Sequence, residues 1–139
     1  MIYLMIKSGL VAPWEDDGFY MDLFWDNIIS LTDNFLNSGI TVVIEYVIFE
    51  DQLKKIAAFL KEKQIKLKYC VLIAEEEILK DRDSSRKEIE RTGDLSIQAR
   101  NDFLAKNSEK RHFLYTDDLD VKETVGIIKT SNQFLISEQ

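Results

Sequence analysis

The chain has 139 residues, of which 45% are hydrophobic and 31% are charged, which suits one globular domain with a core that needs no disulfides. Its formal net charge of -7 disfavours general electrostatic binding to nucleic acid or to an anionic membrane, although a local basic pocket stays compatible with it. Cys70 is the only cysteine, so an intramolecular disulfide is excluded and a reducing, cytoplasmic location is expected. The sequence shows neither a signal-peptide pattern nor an apolar stretch of membrane-spanning length.

Segments with the spacing of strands and of helices alternate along the chain. The apolar run at residues 1–6 predicts the first strand of a parallel sheet, and the spacing within residues 19–36 predicts an amphipathic helix. The β-branched run at residues 40–49 predicts a strand that is buried on both faces. The same reasoning predicts helices at residues 51–63, 75–91, 95–107 and 120–135, and strands at residues 66–74 and 111–116.

Strands that are separated by helices of this length predict right-handed crossovers and an α/β three-layer sandwich with a mainly parallel sheet. No linker or repeat divides the sequence, so residues 1–139 are expected to form a single domain. In such sheets ligands bind outside the carboxyl ends of the strands. The residues that follow Phe49, Ala74 and Thr116 are therefore candidates for a binding site.

The stretch "EEEILKDRDSSRK" follows one of these strands and contains two arginines with helical spacing. Leu79, Arg82 and Arg86 form an LxxRxxxR pattern, which places both guanidinium groups on one helical face, where they can hold phosphate oxygens. The alternative is an exposed helix in which Asp81 or Asp83 pairs with nearby basic residues.

The stretch "FLYTDDLDVKETVGII" contains an aspartate-rich turn after Thr116. A polar loop at this point can line the purine site of a nucleotide-binding sheet. In the structural alternative, Asp120 is the N-cap of the last helix and Glu123 completes a capping box, and the two interpretations are compatible. The residues of this helix that we expect to point inward are Val121, Val125 and Ile128.

Carboxylates near the start of the chain and within a predicted strand are candidate catalytic groups. Asp16 and Asp17 lie beside Trp14, where they can hold a hydroxylated small molecule and one of them can act as general base. Acidic residues also favour a helix N-terminus without any catalytic role. Glu45 interrupts an apolar strand, and because burying an unpaired carboxylate is costly, it indicates either a site or a bend in the strand.

Two common kinds of catalytic centre find no support in the sequence. His112 is the only histidine and has no cysteine nearby, so a zinc site of the usual type is excluded by ligand count, and we predict no metal site of this kind. Serine-based catalysis is also unsupported, because the chain contains no GxSxG motif.

Three segments in order resemble the later two-thirds of small bacterial P-loop kinases. They are "PWEDDGFYMDLFWDNIISLTDNFLNSGITVVIEYVIF", "VLIAEEEILKDRDSSR" and "RHFLYTDDLDVKETVGII". The chain is similar in this respect to AAA-type small-molecule kinases such as gluconate kinase, shikimate kinase and chloramphenicol phosphotransferase, over about residues 5–136. The resemblance implies a P-loop NTPase-like sandwich, with ATP and magnesium as cofactors and a small hydroxylated molecule as phosphate acceptor.

The resemblance also implies roles for the candidate residues. Arg82 and Arg86 would belong to a lid-like segment, about residues 75–108, that closes over nucleotide phosphates, and Thr116 would lie near the base. The substrate side would hold Trp14, Asp16 and Asp17.

The sequence departs from these kinases at the phosphate-binding loop. A P-loop requires GxxxxGK[ST], but no two of the five glycines are five residues apart and none precedes a lysine. The resemblance therefore predicts that the first βαβ unit is missing or altered and that this chain is a poor kinase or none. The alternative is a non-catalytic binding or assembly module, in which the open sheet edge is covered by a partner or by a second copy, the latter giving a homo-oligomer.

Overall fold

The chain consists of two compact units, Met1–Tyr46 and Val47–Gln139, and each is described here by itself. The computed structural model describes residues 4–6, 9–11, 19–106 and 109–136, with side chains from residue 21 onward. These residues form β1 (Leu4–Ile6), β2 (Gly9–Val11), α1 (Phe19–Asn37), α2 (Glu50–Glu62), β3 (Val71–Ile73), α3 (Glu76–Ser84), α4 (Asp94–Lys106), β4 (Phe113–Tyr115) and α5 (Val121–Thr130). The single domain inferred from the sequence stays a prediction.

The first unit contains a short hairpin ladder and the helix α1. β1 pairs with β2 in antiparallel orientation, with Leu4 opposite Val11, so the prediction of a parallel-sheet strand at the N-terminus is wrong for these residues. The helix predicted at residues 19–36 is confirmed, and it ends beside Gly39, whose φ of 75° suits glycine. Trp25 is buried on this helix.

The strand predicted at residues 40–49 is wrong. These residues contain neither helix nor strand, and Val43 is 88% exposed. Hydrophobicity favours a strand only where a neighbouring strand supplies hydrogen bonds, and the described residues offer this run no such neighbour. Glu45 is exposed rather than buried, which removes the reason for which it was singled out as a catalytic candidate.

The second unit is built around two adjacent parallel strands. β3 pairs with β4, with Val71 opposite Phe113, and the connection between them contains α3 and α4. A parallel pair requires a long crossover of this kind. The buried apolar residues of this unit are Ile48, Ile56, Leu60, Tyr69, Val71, Ile73, Ala74, Phe113, Leu114 and Phe134.

The three-layer P-loop-like sandwich with a mainly parallel sheet is contradicted by this architecture. The described strands form two separate two-stranded sheets, of which one is antiparallel, and helices predominate. Alternating elements predict a large parallel sheet only if every strand finds a partner in that sheet. Here the described N-terminal strand pairs within a hairpin, and residues 40–49 form no strand.

The last helix buries a different face from the predicted one. α5 buries Thr124 and half-buries Ile127 and Ile128, whereas Val121 is 81% exposed and Val125 is also exposed. The inward orientation predicted for these two valines is therefore wrong. Helical spacing defines possible faces, but the start of the helix at its cap and its contacts with the core decide which face is buried.

Candidate functional site

The carboxyl ends of β3 and β4 lie side by side and are tied together by hydrogen bonds. The backbone N–H of Thr116 donates to the carbonyl of Ile73 at 2.8 Å. Just beyond the two strand ends, the N–H of Glu75 donates to Asp117 Oδ1 at 2.7 Å. The segments that follow the two strands are thus held next to each other, at the edge where the sequence placed a binding site.

Arg82 lies on α3 and reaches the end of β4. Its Nη1 donates to Thr116 Oγ1 at 3.0 Å, and its Nη2 donates to the carbonyl oxygen of Thr116 at 2.5 Å. These two bonds fix the plane of the guanidinium group. Since arginine carries five N–H donors, about three remain for a ligand after the two bonds to Thr116.

Arg86 is beside the same site but is not on the same helix as Arg82. α3 ends at Ser84, because the hydroxyls of Ser84 and Ser85 donate to the carbonyl of Asp81 in its last turn. The predicted arrangement of both arginines on one helical face is therefore wrong. Arg86 is half exposed, and its Nη1 lies 3.7 Å from Asp83 Oδ1, which agrees with the alternative of local ion pairs.

Asp83 connects the end of α3 to the start of α4. Its carboxylate accepts hydrogen bonds from the backbone N–H groups of Thr92 and Gly93, at 2.8 and 2.9 Å, and from the Thr92 hydroxyl at 3.0 Å. These hydrogen bonds, those from the two backbone groups above all, hold the pKa of Asp83 below its ordinary value. Asp83 therefore carries a negative charge at neutral pH and fixes the loop that leads to α4.

A cavity of about 180 Å³ lies between these elements. The residues that line it include the cationic Arg82 and Arg86, the anionic Asp83, the hydroxyl-bearing Thr92, Ser96 and Thr116, and the apolar Leu72 and Leu79. The charged lining residues sum to one net positive charge. An anion that enters this cavity meets two guanidinium groups and several hydroxyl-bearing residues, whereas the one carboxylate already accepts hydrogen bonds from backbone groups.

Arg100 on α4 braces the end of β3 from the other side. Its Nε donates to the carbonyl of Ala74 at 2.8 Å, and its Nη2 forms an ion pair with Glu75 Oε2 at 2.7 Å. The side chain is largely buried. Because these donors bond to the strand end itself, Arg100 has a positioning role for the cavity wall.

The structure brings together some of the predicted site residues and separates others. Arg82, Arg86 and Thr116 line one cavity, although Arg82 and Thr116 are 34 residues apart in the sequence. Trp14, Asp16 and Asp17 lie outside the described residues. Glu45 is exposed in the first unit and does not line this cavity.

Asp83, Arg100 and Asp117 organise the site but were not predicted as site residues. Asp83 was considered only as an ion-pair partner, and its bonds to Thr92 and Gly93 join residues nine and ten positions apart, which no local pattern indicates. Arg100 gives no local signal, because its partners at the end of β3 are 25 and 26 residues away.

The structural interpretation of the aspartate-rich turn is confirmed. The backbone N–H of Glu123 donates to Asp120 Oδ1 at 2.7 Å, and the N–H of Asp120 donates to Glu123 Oε2 at 2.9 Å. The two side chains thus form the capping box of α5. The role of the preceding loop at a purine site stays a prediction.

The residues of the cavity do not fit a magnesium ion. Magnesium prefers an octahedron of oxygen ligands that includes carboxylates and water. The carboxylate among the lining residues belongs to Asp83, and its oxygens already accept hydrogen bonds from Thr92 and Gly93. In the described parts of the chain, no group of three or more His, Cys, Asp or Glu residues is arranged to hold a metal ion.

Comparison with known proteins identifies no relative, so the functional interpretation rests on the geometry of the cavity. No family model matches the chain, and no curated protein sequence matches it. None of the helices in the described residues combines the length and the apolarity that crossing a membrane requires.

Proposed function

We propose that the cavity at the carboxyl ends of β3 and β4 binds the phosphoryl group of a small phosphorylated molecule, and that the chain acts there as a non-catalytic binding module. The observation that carries this proposal is the orientation of Arg82, whose guanidinium group is fixed by Thr116 at the cavity wall. A planar guanidinium group with several remaining N–H donors matches the geometry of phosphate oxygens.

Arg86 supplies the second cationic group of the proposed site. Its side chain is half exposed, and the contact with Asp83 is long, at 3.7 Å. The side chain can therefore turn towards a bound anion at little cost, because exposed ion pairs contribute about 0–1 kcal/mol. Arg82 thus provides a fixed contact, and Arg86 provides an adjustable one.

The size of the cavity supports a phosphoryl group rather than a whole nucleotide as the enclosed part of the ligand. Its volume of about 180 Å³ is below the range of about 300–1,000 Å³ that encloses drug-sized ligands. A phosphoryl group with a few further atoms fits, and the remainder of the ligand would project into solvent.

The groups that line the cavity support binding of a phosphoryl group better than its transfer. A general base must accept a proton at neutral pH, and the lowered pKa of Asp83 makes its carboxylate a weak base. The sequence also lacks the glycine loop and the lysine that neutralise charge in P-loop kinases. The resemblance to small-molecule kinases nevertheless suggests the triphosphate group of ATP as one ligand to test.

Thermal stability with added ligand tests the proposal, since a ligand that binds the native state raises its melting temperature. The probes are inorganic phosphate, pyrophosphate and ATP, each with EDTA, against sodium chloride of equal ionic strength. We expect a saturable rise in the native chain and loss of that rise in Arg86→Gln. Lys54→Gln is the matched control, because it removes the same charge from an exposed position on α2.

Two outcomes would contradict the proposal. The first is no saturable rise with any of the three probes, and the second is an equal rise in Arg86→Gln and in Lys54→Gln. The non-catalytic part is tested separately, by incubating the chain with ATP, magnesium and a panel of small alcohols. Transfer of the γ-phosphoryl group that is lost in Arg82→Gln would show that the site is catalytic.

A further inference from the structure

The cavity at the carboxyl ends of β3 and β4 has an apolar part as well as a cationic part. Leu72, Ile73 and Ala74 follow one another along the chain and line the cavity together with Leu79 of α3. Ile73 and Ala74 are buried, whereas Leu72 is 55% exposed and Leu79 is half-buried. Ligand sites commonly combine such an apolar lining with a few polar groups that fix the orientation of the ligand.

The apolar and the cationic parts are adjacent on α3. Leu79 precedes Arg82 by three residues, so the two side chains lie on one face of the helix, and both line the cavity. Three residues correspond to about 4.5 Å along the axis of an α-helix. This separation is comparable to that between the phosphorus atom and the middle of a small ring or branched chain that is attached through a single ester oxygen.

The backbone oxygens of the apolar part are already hydrogen-bonded. Ile73 O accepts from the N–H and the hydroxyl of Thr116, at 2.8 and 3.2 Å, and Ala74 O accepts from Arg100 Nε at 2.8 Å. The two leucine side chains carry no polar atoms. A ligand hydroxyl in this part of the cavity would lose bonds to water without full replacement, which is costly, whereas a hydrocarbon group would gain from burial.

We propose that the ligand of this cavity is a phosphomonoester whose alcohol part is a compact hydrocarbon group, aryl or short branched alkyl, rather than a sugar or a polyol. The phosphoryl group contacts Arg82 and Arg86, and the hydrocarbon group packs against Leu72 and Leu79. This inference rests on the proposed function, because it names the ligand class for the same phosphoryl site. The volume of about 180 Å³, below that of sites for drug-sized ligands, limits the hydrocarbon part to a small group.

A phosphomonoester is favoured over a carboxylate side chain as the occupant of the cationic part. A monoester carries about two negative charges near pH 7, and two guanidinium groups line the cavity. A carboxylate, including one from another segment of this chain, carries one charge. The carboxylate in the lining, Asp83, already accepts hydrogen bonds from the backbone N–H groups of Thr92 and Gly93.

Isothermal titration calorimetry at pH 8 with phenyl phosphate, glycerol 1-phosphate and phenol tests this inference. Both esters are dianions at this pH, since the second pKa of a phosphomonoester is about 6. We expect the native chain to bind phenyl phosphate about tenfold more tightly than glycerol 1-phosphate, and phenol without saturation. Leu79→Asn, a polar side chain of similar size, should reduce this preference to about threefold or less. The matched control, Leu95→Asn, changes a leucine that is 68% exposed on α4 and should keep the preference.

A second variant and the other outcomes keep the two proposals separable. Leu72→Thr tests the same contact from β3, where a β-branched residue suits the strand, and urea denaturation shows which variants are folded. Equal affinity for the two esters, or a tenfold preference that persists in both Leu79→Asn and Leu72→Thr, would overturn this inference and leave the phosphate site intact. Binding of neither ester, or binding of phenol as tight as that of phenyl phosphate, would overturn the proposed function as well.

Discussion

Substitution of Thr116 by valine separates the fold of the site from its ability to bind phosphate. Thr116 is buried, and its hydroxyl takes part in two hydrogen bonds, as donor to Ile73 O at 3.2 Å and as acceptor from Arg82 Nη1 at 3.0 Å. Valine has nearly the same shape but no hydroxyl. Thr116→Val therefore removes one of the two bonds that fix the Arg82 guanidinium group and leaves the bond to the backbone carbonyl.

The expected loss of stability is small. A typical hydrogen bond contributes about 0.5–1.5 kcal/mol net, so two bonds correspond to about 1–3 kcal/mol. The lower end applies here, because Ile73 O keeps its bond from the backbone N–H of Thr116 and Arg82 is exposed to water. We expect a decrease of about 1 kcal/mol in the free energy of unfolding, measured by urea denaturation.

The expected effect on ligand binding is a loss of orientation rather than a loss of charge. With one bond remaining, Arg82 samples more orientations, and we expect the Kd for pyrophosphate to rise about three- to tenfold, or about 0.6–1.4 kcal/mol. Isothermal titration calorimetry on native and variant chains measures this change. The matched control is Thr124→Val, which removes the hydroxyl of another buried threonine, one that donates to Asp120 O at 2.8 Å.

The control decides whether the reasoning holds. Thr124→Val should lower stability by a similar amount, about 1 kcal/mol, and leave the pyrophosphate Kd unchanged. If Thr116→Val binds pyrophosphate as tightly as the native chain, the positioning of Arg82 by Thr116 is irrelevant to binding. An equal loss of affinity in both variants would mean that general destabilisation, and not the geometry of the cavity, controls the measurement.

Four further predictions concern the described residues of the second unit. Burial raises the pKa of the Cys70 thiol to about 11, so we expect slow alkylation by iodoacetamide at pH 8 in the native chain and fast alkylation in urea. The pKa of Asp83 is lowered in the folded state, so its stabilising effect is present above its unfolded value and is lost as pH falls through its folded value. Asp83→Asn should accordingly be less stable than the native chain at pH 7, with a gap that narrows towards pH 3 in urea titrations. Phe134 is fully buried, and Phe134→Ala should lower the free energy of unfolding by about 3–5 kcal/mol in urea denaturation. Lys68 Nζ donates to three carbonyls at the end of α5, so Lys68→Met should cost about 2 kcal/mol and increase amide exchange in the last turn of that helix.

Much of the secondary structure is determined by local sequence. The helix at residues 19–36 and its stop at Gly39 follow from apolar spacing and from the conformational freedom of glycine. The capping box of Asp120 and Glu123 was also predictable, because its hydrogen bonds join residues only three apart. Interactions of this range depend on few neighbours, so the sequence alone is sufficient to predict them.

The sheet could not be predicted in the same way. Residues 40–49 have a stronger strand pattern than Phe113–Tyr115. Only Phe113–Tyr115 forms a strand, β4, because it lies beside β3. Pairing is decided by which backbone groups come together in space, and hydrophobicity does not specify that partner. The predicted α/β sandwich failed for this reason.

The candidate site combines both kinds of information. The LxxRxxxR spacing and the strand ends were visible in the sequence, and in the structure Arg82 and Thr116 line one cavity. The direct bonds between Arg82 and Thr116 span 34 positions. The single helical face predicted for Arg82 and Arg86 does not form, because α3 ends at Ser84. At this end the hydroxyls of Ser84 and Ser85 donate to the carbonyl of Asp81. The amino-acid sequence by itself determined which chemical groups were present and which short-range elements would form. Only the tertiary structure decided which of those groups meet, because contacts between distant residues depend on packing and strand pairing throughout the unit.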